Sequence, residues 1–192
     1  LILSSNSNAL AAAEIVIAGQ TFKTDGFGKA AFTVQIPKSA THVVVTVKKD
    51  GFISQSLRIE AGQLEQLSAN LLNVKQTVSI AKIEEAQVIQ SVYQNAQITI
   101  PENAFVLPNG QPATGAVTVA FTPWDITAAD LNAMPANGVA RDAQGNIVNL
   151  ISAGMITATF TNAAGQKLQL AAGKTADIQM DLPLESINNQ KL

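Results

Sequence analysis

The 192-residue sequence predicts an all-β protein: tandem antiparallel β-sandwich domains with one short helical segment. Three observations carry that prediction. Short segments alternate apolar and polar residues with period two, the mark of a strand with one buried face. Gly-bearing turns such as Lys49-Asp50-Gly51 and Pro108-Asn109-Gly110 separate them at hairpin spacing. Charged residues are only 14%, against the usual quarter or so. That leaves too few Glu and Lys to clothe long surface helices.

The elements follow in order. Glu14-Ile15-Val16-Ile17 and Thr21-Phe22-Lys23-Thr24 flank the turn Ala18-Gly19-Gln20. After Asp25-Gly26-Phe27-Gly28, the run Ala31-Phe32-Thr33-Val34-Gln35-Ile36 alternates up to Pro37 and predicts a strand. Thr41 to Val47 is β-branched, and Phe52 to Ile59 is its predicted hairpin partner. A short strand or turn within Gln63–Leu72 closes the first domain, with a boundary near Asn70–Thr77. The pattern then restarts. Strands are expected at Gln97–Ile100, Phe105-Val106, Ala116–Thr122, Ala140–Asp142, Ile147–Leu150, Met155–Phe160, Lys167–Leu170 and Lys174–Met180. Only Asp125 to Met134 has helical character, with Asp125 or Thr127 as its cap. The domains are therefore 1–73 and 74–192.

Composition excludes many activities. There is no cysteine, which removes disulfides, thiolate catalysis, zinc fingers and iron–sulfur clusters. Twelve basic residues against 14 acidic ones give a net charge of −2, so no basic footprint for nucleic acid is expected. No apolar run nears the roughly 20 residues of a membrane-spanning helix. The chain begins with Leu and shows no secretory leader, as expected of a processed product or an excised piece.

Two stretches resemble known families. Ala18 to Phe32, followed by Lys48-Lys49-Asp50-Gly51-Phe52-Ile53, is similar to carboxypeptidase regulatory-like domains, small sandwiches of transthyretin-like or Ig-like build. Such domains are usually non-catalytic accessories. Ile98 to Phe105 and Asn109 to Val117, with Met134-Pro135, Ala153–Ile156 and Leu170–Ala176, resemble domains of the cartilage intermediate layer protein type. The pairing in this order resembles bacterial surface proteins. It implies an extracellular, cell-surface or periplasmic setting and a structural or binding role. It also implies a further β region after Leu192, so that the second domain is truncated there.

Catalytic residues are hard to find. His42, the single His, heads a Val-rich strand, and an exposed strand position explains it more simply than a triad. No Gly-x-Ser-x-Gly elbow and no phosphate-binding glycine loop occur. Asp125 reads as a cap and Glu84-Glu85 as a solvated turn, not as paired acids of a glycosidase. Asp142-Ala143-Gln144-Gly145-Asn146 and Asp25-Gly26-Phe27-Gly28 offer oxygens for calcium, but β-turns account for both. No enzyme activity, cofactor or metal site is expected.

Binding residues are more open. Trp124, with Asp125 and Asp130 near it in sequence, is where an aromatic face and polar groups could converge on a glycan. Core packing of the indole is the competing reading, and Phe27 and Tyr93 are lesser candidates. Leu1-Ile2-Leu3 is apolar at a chain end. It either completes a sheet of its own domain or adds to a neighbour's sheet. The sequence thus predicts a non-enzymatic structural or adhesive segment of a bacterial extracellular protein, such as a filament or stalk subunit. It would engage protein partners, or itself, through sheet edges. The alternative is a carbohydrate-binding accessory module of a secreted enzyme.

Overall fold

A computed structural model describes residues 1–63, 66–125, 129–134, 139–149 and 154–181. The fold is all-β, built of several small and mostly antiparallel sheets and compatible with sandwich packing. Two compact units emerge.

The chain opens with β1 (Ile2–Ser4). β2 (Glu14–Ile17), β3 (Gln20–Lys23), β4 (His42–Lys48) and β5 (Gln55–Glu60) then form an antiparallel sheet in the order β3-β2-β4-β5. After a 3-10 turn at Ala61–Gln63, β6 (Ala69–Leu71) returns parallel to β1, pairing Ile2 with Ala69 and Ser4 with Leu71. Alternation decides which face is buried. Ile15, Ile17, Val45 and Val47 point inward and pack with Ile2, Leu10, Ala13 and Leu71. Each such burial contributes about 1.5–3 kcal/mol.

Two local devices hold the entry to this unit. The buried Thr24 hydroxyl donates to Leu10 O (2.5 Å) and accepts from Ala13 N–H (2.9 Å). Gly28 has φ of 70°, and its carbonyl accepts the Ile2 N–H at 2.7 Å. A Cβ there would collide with the Ile2 carbonyl oxygen, so only glycine lets the two backbones approach.

The strand expected at Ala31–Ile36 is not formed. Its side chains still alternate, with Phe32, Val34 and Ile36 half-buried and Ala31, Thr33 and Gln35 exposed. Phe32 stacks on Phe22, ring centres 4.2 Å apart. Periodicity reports which face meets the core, whereas a ladder needs a neighbouring backbone in register, and none of the described segments supplies one.

The second unit begins with β7 (Gln76–Ile80), β8 (Gln87–Gln90), β9 (Ala96–Ile100), β10 (Phe105–Val106) and β11 (Val117–Trp124). The chain then makes a five-residue 3-10 turn, Ala129–Ala133, and a hairpin of β12 (Val139–Arg141) and β13 (Ile147–Asn149). It returns as β14 (Met155–Asn162), β15 (Gln169–Leu170) and β16 (Asp177–Met180). The sheets are β14-β11-β7 and β16-β9-β8, with β10 paired to β15. Val117, Val119, Phe121, Ile98, Ile100 and Phe105 form the heart of the core. Pro123 lies in β11 beyond the ladder to β7, which ends at Phe121, while the pairing with β14 continues through it.

Three further features differ from the sequence reading. β7 and β8 were not expected. The expected helix is reduced to the 3-10 turn, with Ile126–Ala128 outside the described residues; Leu150 and Pro183 also lie outside them. The units divide between Asn73 and Val74, but the described residues of Asp125–Ser152 group with Leu1–Asn73 rather than with the remainder of 74–192. The reason is polar. Asn132 donates to Ser5 O (3.1 Å), and its own carbonyl accepts from the Asn70 side chain (2.8 Å). The 3-10 turn is thereby fastened to the ends of β1 and β6.

Candidate functional site

The sequence candidates occupy different places. Trp124 is 4% exposed at the end of β11, and its indole N–H donates to Thr157 Oγ1 at 2.9 Å. It is a core residue of the second unit, with its polar edge satisfied inside the protein. Asp125 and Asp130 belong to the first unit. The Asp130 carboxylate, 9% exposed, accepts the Asp125 N–H at 2.8 Å. The cap expected at Asp125 would serve residues 126–128, which lie outside the described residues.

A buried indole makes a direct prediction. Trp124 emission should be blue-shifted and resistant to iodide, and unchanged by soluble oligosaccharides. A red-shifted, glycan-quenched spectrum would contradict its placement.

Leu1–Leu3 pairs within its own unit. The Leu1 ammonium donates to Leu67 O (2.7 Å), and Ile2 is 1% exposed. His42 is exposed at the head of β4, where its Nδ1 lies 3.1 Å from Thr41 Oγ1 and 3.2 Å from an Arg58 guanidinium nitrogen. Its cross-strand neighbour is Glu60.

The oxygen-rich turns share one design. In Asp25–Lys29, Asp142–Asn146 and Asn162–Gln166, the first side chain accepts N–H groups two and four residues on. The fourth residue is a glycine at positive φ whose N–H returns to the first carbonyl. These oxygens are occupied by their own loop, and among the described residues no three His, Asp or Glu side chains cluster. The loop N–H groups hold the carboxyls below their ordinary values. For Asp25 the Lys29 N–H contributes most, then that of Phe27; for Asp142 the Asn146 side chain leads.

The sign follows from linkage. A depressed folded-state pKa gives stabilisation present above the unfolded value, near 3.9, and lost as pH falls through the lower folded value. A carboxyl-carbon NMR titration should give Asp25 and Asp142 midpoints below that of an unfolded peptide. Midpoints at or above it would refute the turn geometry.

What remains is surface, and the sequence pattern missed most of it. In the second unit, Gln76 brackets the turn after β8: its Nε2 donates to Gln90 O and its Oε1 accepts from Val92 N–H. Ser91 Oγ accepts from Tyr93 and Gln94 N–H. Val92 and Tyr93 are thus fixed outward, 78% and 59% exposed. Edge strands β8 and β16 carry exposed Val88 and Ile178. In the first unit, a cavity of about 290 Å³ is lined by residues that include Ile15, Ile17, Val45, Leu1, Ala31 and Phe32. Apolar periodicity names Ile15, Ile17, Val45 and Phe32 as core-facing but gives no signal that a space beside them is unfilled.

The fold and surface define a β-rich protein that presents edges and turn tips. Searches of protein-family models, curated proteins and solved structures find no match.

Proposed function

We propose that this chain is a non-enzymatic structural or adhesive segment of a bacterial extracellular protein, acting through sheet edges and turn tips. The observation that carries the reading is the undefended edge. β8, Gln-Val-Ile-Gln, bounds its sheet without a charge or proline and exposes Val88. Such edges are usually blunted by lysine, proline or bulges because they template pairing with another chain. The local use of the carboxylates at the turns and the resemblance to surface-protein domains support the same view, including the extracellular or periplasmic setting. The burial of Trp124 weighs against the glycan-binding alternative.

Sedimentation velocity over a wide concentration range, with chemical cross-linking, tests the proposal. Association that weakens when Val88 is replaced by Lys is the expected result. A strict monomer at the highest concentration would oppose the self-associating form.

A further inference from the structure

We propose that residues 31–36 of the first unit are an acceptor edge for an added β-strand from another polypeptide, an extended strand with aliphatic residues at alternate positions and acidic ends. This deepens the structural reading above by naming one edge and the chemistry of its partner.

Three observations converge. First, no backbone N–H or C=O of residues 30–36 makes a hydrogen bond within the described residues, although the residues alternate between half-buried and exposed as those of a strand do. A row of vacant donors and acceptors at strand spacing is matched by another extended backbone, not by a helix or a compact small molecule. Second, the cavity adjoins this segment. Leu1 and Ala30–Phe32 line it together with Ile15, Ile17 and Val45 of the four-stranded sheet. The lining residues are all aliphatic or aromatic, with backbone polar atoms sharing the wall, so the cavity suits a strand that offers aliphatic side chains and a backbone together. Third, residues 25–50 carry Lys29, Lys38, Lys48 and Lys49 against Asp25 and Asp50, a local excess of two positive charges in a chain whose net charge is −2. Lys29 and Lys38 flank the vacant edge, and both are exposed. An acidic strand end is favoured there, and a basic one is repelled.

The probe is the capped peptide Asp-Val-Thr-Val-Thr-Val-Asp, added to the intact 192-residue chain. Amide hydrogen exchange reads the result. In the free protein the amides of 31–36 should exchange fast for want of partners. Saturating peptide should slow them by about tenfold or more, with no comparable change at β8 or β16. Two control peptides test the mechanism on the unaltered protein. Methylating alternate peptide nitrogens on the pairing side should abolish the protection, and replacing both Asp by Lys should weaken it.

No protection at millimolar peptide, equal protection by the methylated peptide, or protection only at other edges would overturn the proposal. So would equal binding of the Lys-ended peptide. Because β8 association is read separately by sedimentation, a null peptide result with sedimenting oligomers would sink this edge alone.

Discussion

Gly28→Ala should destabilise the first unit by about 3 kcal/mol. An L-residue in the left-handed region costs about 1–2 kcal/mol, and Gly28 sits there with φ of 70°. The new methyl would also strike the Ile2 carbonyl oxygen. β1 must then shift, loosening the Ile2 N–H bond to Gly28 O and the Leu10 N–H bond to Ile2 O. Each such bond contributes about 1 kcal/mol. Hydrogen exchange at β1 and β6 reads the loss. Gly26→Ala is the control, since a Cβ there meets nothing within 4 Å. Equal stability of the two variants would show that β1 does not lie against Gly28.

Phe121→Ala should cost the second unit about 3–5 kcal/mol, the range for removing a buried aromatic ring. Phe121 is 0% exposed in the central strand of its sheet, paired to Gln76 of β7 and Ala158 of β14. Close packing on both sides limits how far the gap can collapse. Trp124 lies three residues along the same strand, so its fluorescence reports unfolding of this unit during a urea titration. Val88→Ala, at a position 63% exposed, should stay within about 0.5 kcal/mol of the parent. A Phe121 variant that unfolds at the parent's midpoint would contradict the core described here.

The two substitutions probe different kinds of information. Phe121 is legible as core from the alternation of Val117 to Phe121 alone, because period two puts every second side chain on one face. The need for glycine at position 28 is half legible. Its turn asks for positive φ, but the approach of Ile2 belongs to a contact 26 positions away in sequence.

The candidate sites follow the same division. The turn reading of Asp25 and Asp142 rests on interactions within five residues, and spacing reveals those. The cavity, the vacant edge at 31–36 and the buried state of Trp124 all depend on segments far apart in sequence.

By itself, then, the amino-acid order determined the β class, most strand positions, the turn chemistry and the poverty of catalytic groups. These depend on side-chain periodicity and on local bonds. Tertiary structure alone decided that β1 runs parallel to β6, that the described residues of Asp125–Ser152 group with the first unit, and that an alternating segment is left without a ladder among the described residues. Strand pairing and cavity formation are set by which distant backbones arrive in register, and no local pattern encodes that meeting.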